Sequence, residues 1–324
     1  MNADAASAAC KLQEAAEYPV TVLHNRPLID VSINGQPARL IMDLGAAKTM
    51  LFTNGAKKLG LPIAAASADG DATFYGVGGD AAVGSVRIHE FKLATHKITD
   101  FDLFTLRDRG LGDDAVGVLG EDFFGNFDLE LDFAHNRVGL FKPQGCSGDD
   151  VVYWPGNYSV VHTTGDGNMI LAETQLNGVT LHAMIDSGSP ISYVTTEASR
   201  RAGVTPQSRD ARDGHVTGGI GHEAVAIKVA NFKTFAIGQE TVSDIALPLG
   251  DLFGADKTVK TGSRIATDAV DDLPEMLIGM DFMKAHRIYI ARSQQKLYFT
   301  YVGGPVFANM PAPAAAATAP PPKP

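Results

Sequence analysis

At 324 residues and 45% hydrophobic content, the chain carries enough apolar side chains for a large core, and its length points to two domains. A formal net charge of -10 argues against a phosphate-backbone partner, which would demand clustered Lys and Arg, so nucleic acid is not expected as a ligand. No apolar run approaches the roughly 20 residues that a membrane-spanning helix requires.

The first stretch, MNADAASAACKLQEAAEYP, has neither a basic n-region nor an apolar h-region. The chain is therefore expected to be cytosolic or to have lost its signal, and residues 1–26 read as an N-terminal arm. Cys10 and Cys146 are the only cysteines and bracket the first half. Their placement suggests a disulfide clasping the arm; two unrelated buried thiols are the alternative. A lipidated Cys10 fits less well, because Ser7-Ala8-Ala9 lacks the leucine and apolar stretch of such a signal.

Beyond the arm, Leu28 to Ile33 alternates at Ile29, Val31 and Ile33, and Asn34-Gly35 is the strongest short signal for a type I′ hairpin. The returning strand Leu40-Ile41-Met42 runs into Asp43-Leu44-Gly45-Ala46. Asn54 to Leu61 reads as a short helix stopped near Gly60, and Phe74-Tyr75-Gly76-Val77-Gly78-Gly79 as a glycine-rich hairpin tip. Val118-Leu119-Gly120-Glu121-Asp122 follows, then the strand-like segments FDLELDF and VGLF.

The same order returns in the second half. Asn177-Gly178 precedes Asp186-Ser187-Gly188-Ser189, and in both copies the turn glycine lies eight positions before the aspartate. Glu197 to Val204 repeats the short helix, with Gly203, like Gly60, seventeen residues after its aspartate. Val216-Thr217-Gly218-Gly219 matches the glycine tip within one residue, and Leu277-Ile278-Gly279-Met280-Asp281 matches the closing segment before RIYIA and KLYF. The second copy is longer: Gly76 to Gly120 is 44 positions and Gly218 to Gly279 is 61. The surplus falls in 251–272, a polar stretch expected to be a surface loop or a lid over a groove. From Asn309 the chain is nearly all Ala and Pro, and 306–324 read as a disordered tail.

The series apolar strand, Asp-x-Gly, glycine-rich flap, apolar-apolar-Gly resembles the aspartic proteases of the retropepsin and pepsin type, and Leu-Ile-Gly-Met-Asp-Phe in particular is similar to bacterial retropepsin-like members. The likeness covers Pro27 to Phe299. It implies a mainly β fold of two barrel lobes with short helices, related by duplication and separated by a cleft. The lobes would be residues 27–150 and 151–305. It also implies an aspartic endopeptidase, with Asp43 and Asp186 activating a water that attacks an extended polypeptide. No cofactor and no metal are expected, and with both aspartates on one chain a monomer suffices.

The resemblance assigns Gly45 and Gly188 to tight active-site turns. Tyr75, Gly76 and Gly78 become flap residues, with Thr217 and Gly218 the corresponding candidates in the second copy. Ser189 could hydrogen-bond the outer oxygen of Asp186, whereas Ala46 offers Asp43 no equivalent. Leu44 departs from the pattern. Its place is usually Thr or Ser, whose hydroxyl bonds across to the opposite loop; Ser187 conforms and leucine cannot.

That departure leaves a second reading open: a weak or inactive pepsin-like fold that binds peptides or proteins. Scattered histidines, no His-Glu-x-x-His and no Gly-x-Ser-x-Gly argue against zinc and serine hydrolases. A signal read as removed, the expected disulfide and the bacterial resemblance together favour a periplasmic or secreted protein, with the cytoplasm as the alternative.

Overall fold

The computed structural model describes residues 10–64, 73–82, 84–107, 114–146, 150–165, 169–214, 221, 224–253, 258–260, 267–269 and 273–307. Asn34 and Gly35 (φ 51° and 79°) and Asn177 and Gly178 (φ 49° and 81°) supply the two successive left-handed positions that a type I′ turn requires. They join Arg26–Ile33 to Gln36–Met42 and Leu171–Leu176 to Val179–Ile185. Each asparagine also fastens its turn to a distant strand. Oδ1 of Asn34 accepts from the N–H groups of His89 and Glu90, and Oδ1 of Asn177 from those of Lys233 and Thr234.

Each hairpin seeds a six-stranded barrel. In the first lobe the order is Arg26–Ile33, Gln36–Met42, Gly117–Leu119, Met50–Phe52, His96–Leu106, Gly84–Leu93, closed by Ser32↔Lys92 and Ile33↔Phe91. The second repeats it with Leu171–Leu176, Val179–Ile185, Met276–Ile278, Tyr193–Thr195, Glu240–Gly250 and Lys228–Ile237, closed from Thr174↔Ile237 to Leu176↔Phe235. Ile29, Val31, Ile33, Leu40 and Met42 fill one barrel, and Ala172, Leu176, Leu181, Ala183 and Ile185 the other. Removing each large aliphatic side chain from water is worth about 1.5–3 kcal/mol. The expected short helices are present as Thr53–Lys58 and Thr196–Arg201. The glycines that follow, Gly60 and Gly203, are left-handed and return their N–H groups to Lys57 and Arg200.

A sheet shared by both lobes lies outside the barrels. Its strands run Lys11–Pro19, Arg137–Gln144, Asp128–Asp132, His286–Ala291, Lys296–Tyr301, Ser159–Thr164, and the pairs from Leu129↔Ile290 to Leu131↔Ile288 join first half to second. Arg287 reaches across this seam to the buried Glu130, which Arg137 also grips from the adjoining strand of the first half. Arg292 likewise grips the buried Glu121 at 2.7 Å.

The arm and the tail differ from the sequence reading. Lys11–Pro19 is not a loose arm but an edge strand, registered from Lys11↔Gln144 to Pro19↔Arg137. Its Glu- and Ala-rich composition conceals this, because only its partner strand supplies the pairing. The Cys10–Cys146 disulfide closes the end of that ladder. Phe307, placed in the tail by sequence, is buried against Phe235 and Phe282. Within 251–272, Leu252 and Phe253 are buried and Thr258–Lys260 pairs with Thr267–Ala269, so the stretch is not a plain surface loop.

Closing a loop of 136 residues restricts the unfolded chain by on the order of 5 kcal/mol. A Cys10→Ser, Cys146→Ser double variant is expected to lose a few kcal/mol of stability in urea denaturation. It should retain its fold by circular dichroism, since the edge strand keeps its ladder.

Candidate active site

Two parallel strand pairs aim the aspartates. Gln36–Met42 lies parallel to Gly117–Leu119, and Val179–Ile185 to Met276–Ile278. The N–H of Asp43 then bonds Leu119 O, and that of Asp186 bonds Ile278 O, each at 3.0 Å. The two Asp-x-Gly loops so delivered meet face to face. A Cβ on Gly45 would stand 2.6 Å from Cγ of Asp186, and one on Gly188 would stand 2.3 Å from Cγ of Asp43. Each glycine is thus a floor for the opposite carboxyl, and no other residue fits.

One hydroxyl joins the loops. Ser187 Oγ accepts the N–H of Leu44 at 3.0 Å and donates to the carbonyl of Met42 at 2.8 Å, so it holds the backbone on both sides of Asp43. Leu44 cannot return the bond; its side chain is fully buried in the main core instead. The cross-loop lock therefore acts from one side.

The carboxyls hydrogen-bond each other, and burial pushes both above the usual aspartate range. Asp186 is driven further by the charge of Asp43. Asp43 is held lower by the N–H groups of Gly45 and Ala46, by its bond to Asp186 and by the Arg26 guanidinium. Gly45 N–H lies 2.9 Å from Asp43 Oδ1. The pair together therefore keeps a proton where free aspartates would both ionise, and the Arg26 guanidinium favours charge on Asp43.

Residues 29–123 and 172–282 match the family described as aspartyl protease. The chain belongs to the aspartyl protease family. Among solved structures, the protease resembles the aspartic proteinase from Irpex lacteus, with a TM-score of 0.52 at 13% identity over 90% of this chain and 98% of that one, a likeness of fold. A search of curated proteins by sequence finds no match.

Ser189 in this protease does not use its hydroxyl on Asp186: Oγ donates to Ile191 O at 2.7 Å, and the main-chain N–H of Ser189 donates to Asp186 Oδ1 at 3.1 Å. The tight turn brings the N–H within reach and leaves the hydroxyl, itself buried, on Ile191 O. The Ala46 N–H likewise serves Asp43, so the expected Ser189–Ala46 asymmetry disappears at this position. Tyr75 lies in the strand Thr73–Gly76, opposite Asp80; Gly76 pairs with Gly79, and Val77 and Gly78 form the hairpin tip between them. Thr217 and Gly218 lie outside the described residues.

A second matched set went unnoticed in the sequence. Thr49 and Ser192, each six residues after its aspartate, donate hydroxyls at 2.7 Å to Asp122 and Asp281 and accept the N–H groups of Gly120 and Gly279. Glu121 N–H then bonds Ala46 O, and Met280 N–H bonds Ser189 O, which supports both loops from behind. The equal offsets were the available signal. A surface cavity of about 290 Å³ beside His162, Glu173 and Gln175 contains none of these residues.

Ser187→Ala should cost about 1–3 kcal/mol by leaving Leu44 N–H and Met42 C=O without their partner, while Ser187→Thr should retain most of that stability; urea denaturation measures both. The dyad also sets a pH dependence. The native pair retains a proton above about pH 4, where unfolded carboxyls have lost theirs, so stability should fall as pH rises toward neutrality. Asp186→Asn should flatten that slope in denaturation series from pH 4 to 8.

Proposed function

We propose that the protein is an endopeptidase that hydrolyses extended polypeptide with a water held between Asp43 and Asp186. The carrying observation is the pair itself: two carboxyls hydrogen-bonded to each other, seated on opposing glycines and split in acidity by unequal surroundings. Ionised Asp43 takes a proton from the water as its oxygen attacks the scissile carbonyl. Protonated Asp186 gives its proton to the carbonyl oxygen, forming a neutral diol. Collapse returns one hydroxyl proton to Asp186 as the carbonyl reforms, and the proton on Asp43 passes to the leaving nitrogen. The dyad ends as it began, with one proton between two carboxyls.

Leu44, Gly45, Ala46, Ser187, Gly188 and Ser189 position the loops, and Tyr75, Gly76 and Gly78 form the flap that meets bound peptide. The two barrels and their cleft correspond to 27–150 and 151–305, and both aspartates on one chain support a monomer as the working unit. The Cys10–Cys146 bridge fits an oxidising compartment, hence periplasm or the exterior. In the described residues no helix is long and apolar enough to cross a membrane.

Wild type, Asp43→Asn and Asp186→Asn are to be incubated with an unbiased peptide mixture from pH 3 to 8 and the products read by mass spectrometry. Cleavage by wild type is expected from acidic pH up to where Asp186 loses its proton, and each variant should lose at least about 10³-fold in rate. If wild type cuts nothing that the variants leave intact, the one-sided lock has cost the fold its chemistry and the protein is a peptide-binding module.

A further inference from the structure

Arg137 and Arg287 share Glu130, and Arg292 holds Glu121. Arg26 has no such partner. Among the described residues it forms no ion pair and donates no side-chain hydrogen bond, and its Nε is buried without an acceptor. A buried donor left in this state is costly unless a ligand supplies what the protein does not.

Arg26 follows the left-handed turn His24-Asn25, which joins Thr21–Leu23 to Arg26–Ile33. Asn25 ties that turn to the second lobe: Nδ2 donates to the Pro190 carbonyl at 3.2 Å, and Oδ1 accepts from Lys284 Nζ at 2.9 Å. Carrying the hairpin register two residues past Leu28↔Ile41 sets Arg26 across from Asp43, and directly opposed residues of an antiparallel pair share a face. The guanidinium accordingly acts on Asp43 of its own lobe and feels Tyr193 of the other. It stands where the lobes meet, beside the dyad. In the second copy the same place is held by Met169, also seventeen residues before its aspartate and packed on the apolar group of Met184 and Leu277. One flank of the dyad is cationic and the other apolar.

We propose that Arg26 is a specificity-determining residue that takes a carboxylate of the bound polypeptide, so that the enzyme selects chains with Asp or Glu close to the bond it cuts. This rests on the dyad as the hydrolytic centre. A guanidinium presents its donors in a fork that fits a carboxylate and stays charged at any pH the enzyme meets. An extended chain lying over the dyad brings its side chains past Arg26, and an acidic one supplies the acceptor that Nε lacks. The net charge of -10 gives an acidic chain no general attraction, so selection falls to this local group. Because Met169 replaces the arginine on the other flank, the preference applies to one side of the cut. The carboxylate of a chain end offers the same chemistry as an acidic side chain.

Fluorogenic decapeptides carrying Glu or its neutral isostere Gln at each place within four residues of the cut test the pocket on wild type, Arg26→Met and Arg26→Lys, at about pH 6, where free glutamate is ionised. Wild type is expected to favour Glu over Gln by about tenfold in kcat/KM, on one side of the cut only. Since Arg26 also bears on Asp43, the common rate moves with the variants, and the Glu/Gln ratio is the readout. Arg26→Met should bring that ratio to about one, and Arg26→Lys should restore part of it. In wild type the ratio should fade below about pH 4, as the glutamate takes up its proton. Peptides ending in a free carboxylate or an amide separate the two sources: a preference for the free end that Arg26→Met abolishes assigns the pocket to chain ends. Indifference of wild type to every Glu and to the free end would overturn the proposal, as would a preference that persists in Arg26→Met. If wild type cleaves no peptide, the hydrolytic reading fails, and fluorescence anisotropy of labelled Glu and Gln peptides on wild type and Arg26→Met still decides whether Arg26 holds a carboxylate.

Discussion

Two like-charged, half-buried groups brought face to face form the constraint to which the rest of this structure answers. Ionising both would be costly, so the pair shares a proton. Everything nearby serves that arrangement. Glycines at 45 and 188 let each carboxyl rest on the opposing backbone, main-chain N–H groups fix the carboxyl oxygens, and parallel strands hold both loops from below. The neighbours of the two members are unequal. Arg26 lies on the side of Asp43, and the charge of Asp43 itself bears on Asp186.

Duplication provides the scaffold, and its exceptions are as informative as its matches. Hairpin turns, helix stops, Thr49 and Ser192, and the closing glycines recur in register. At Leu44 and Ser187 the copies diverge, and a two-way lock becomes a one-way lock. Ser187 compensates geometrically by engaging both Met42 and Leu44, while leucine adds apolar contact to the first barrel. The substitution thus exchanges a polar cross-loop bond for packing within one lobe, without displacing Asp43 from its glycine floor.

Much of this was legible in the residues because it depends on local chemistry. Asn-Gly dictates a turn whatever surrounds it, glycine after a short helix dictates its end, and matched offsets from two aspartates reveal the pairing of lobes. What stayed hidden depends on distant partners. Lys11–Pro19 carries no strand signal of its own and becomes one only against Arg137–Gln144. Phe307 lies next to an Ala/Pro tract yet is fixed by Phe235 and Phe282, far away in the chain. The Ser189 hydroxyl was free to choose between Asp186 and Ile191 O, and turn geometry, which no residue name encodes, settled the choice.

The shared sheet has a consequence for how the chain is made. The edge strand Lys11–Pro19 has its ladder on Arg137–Gln144, and Asp128–Asp132 has one flank on His286–Ala291. As the chain leaves the ribosome, Lys11–Pro19 must wait for more than a hundred further residues before its partner strand emerges, and one seam of the first half stays open until His286–Ala291 has been made. Such distant pairings favour slow folding. The first lobe is exposed along that seam until His286–Ala291 has emerged, so the stage most vulnerable to wrong association comes before that strand is made.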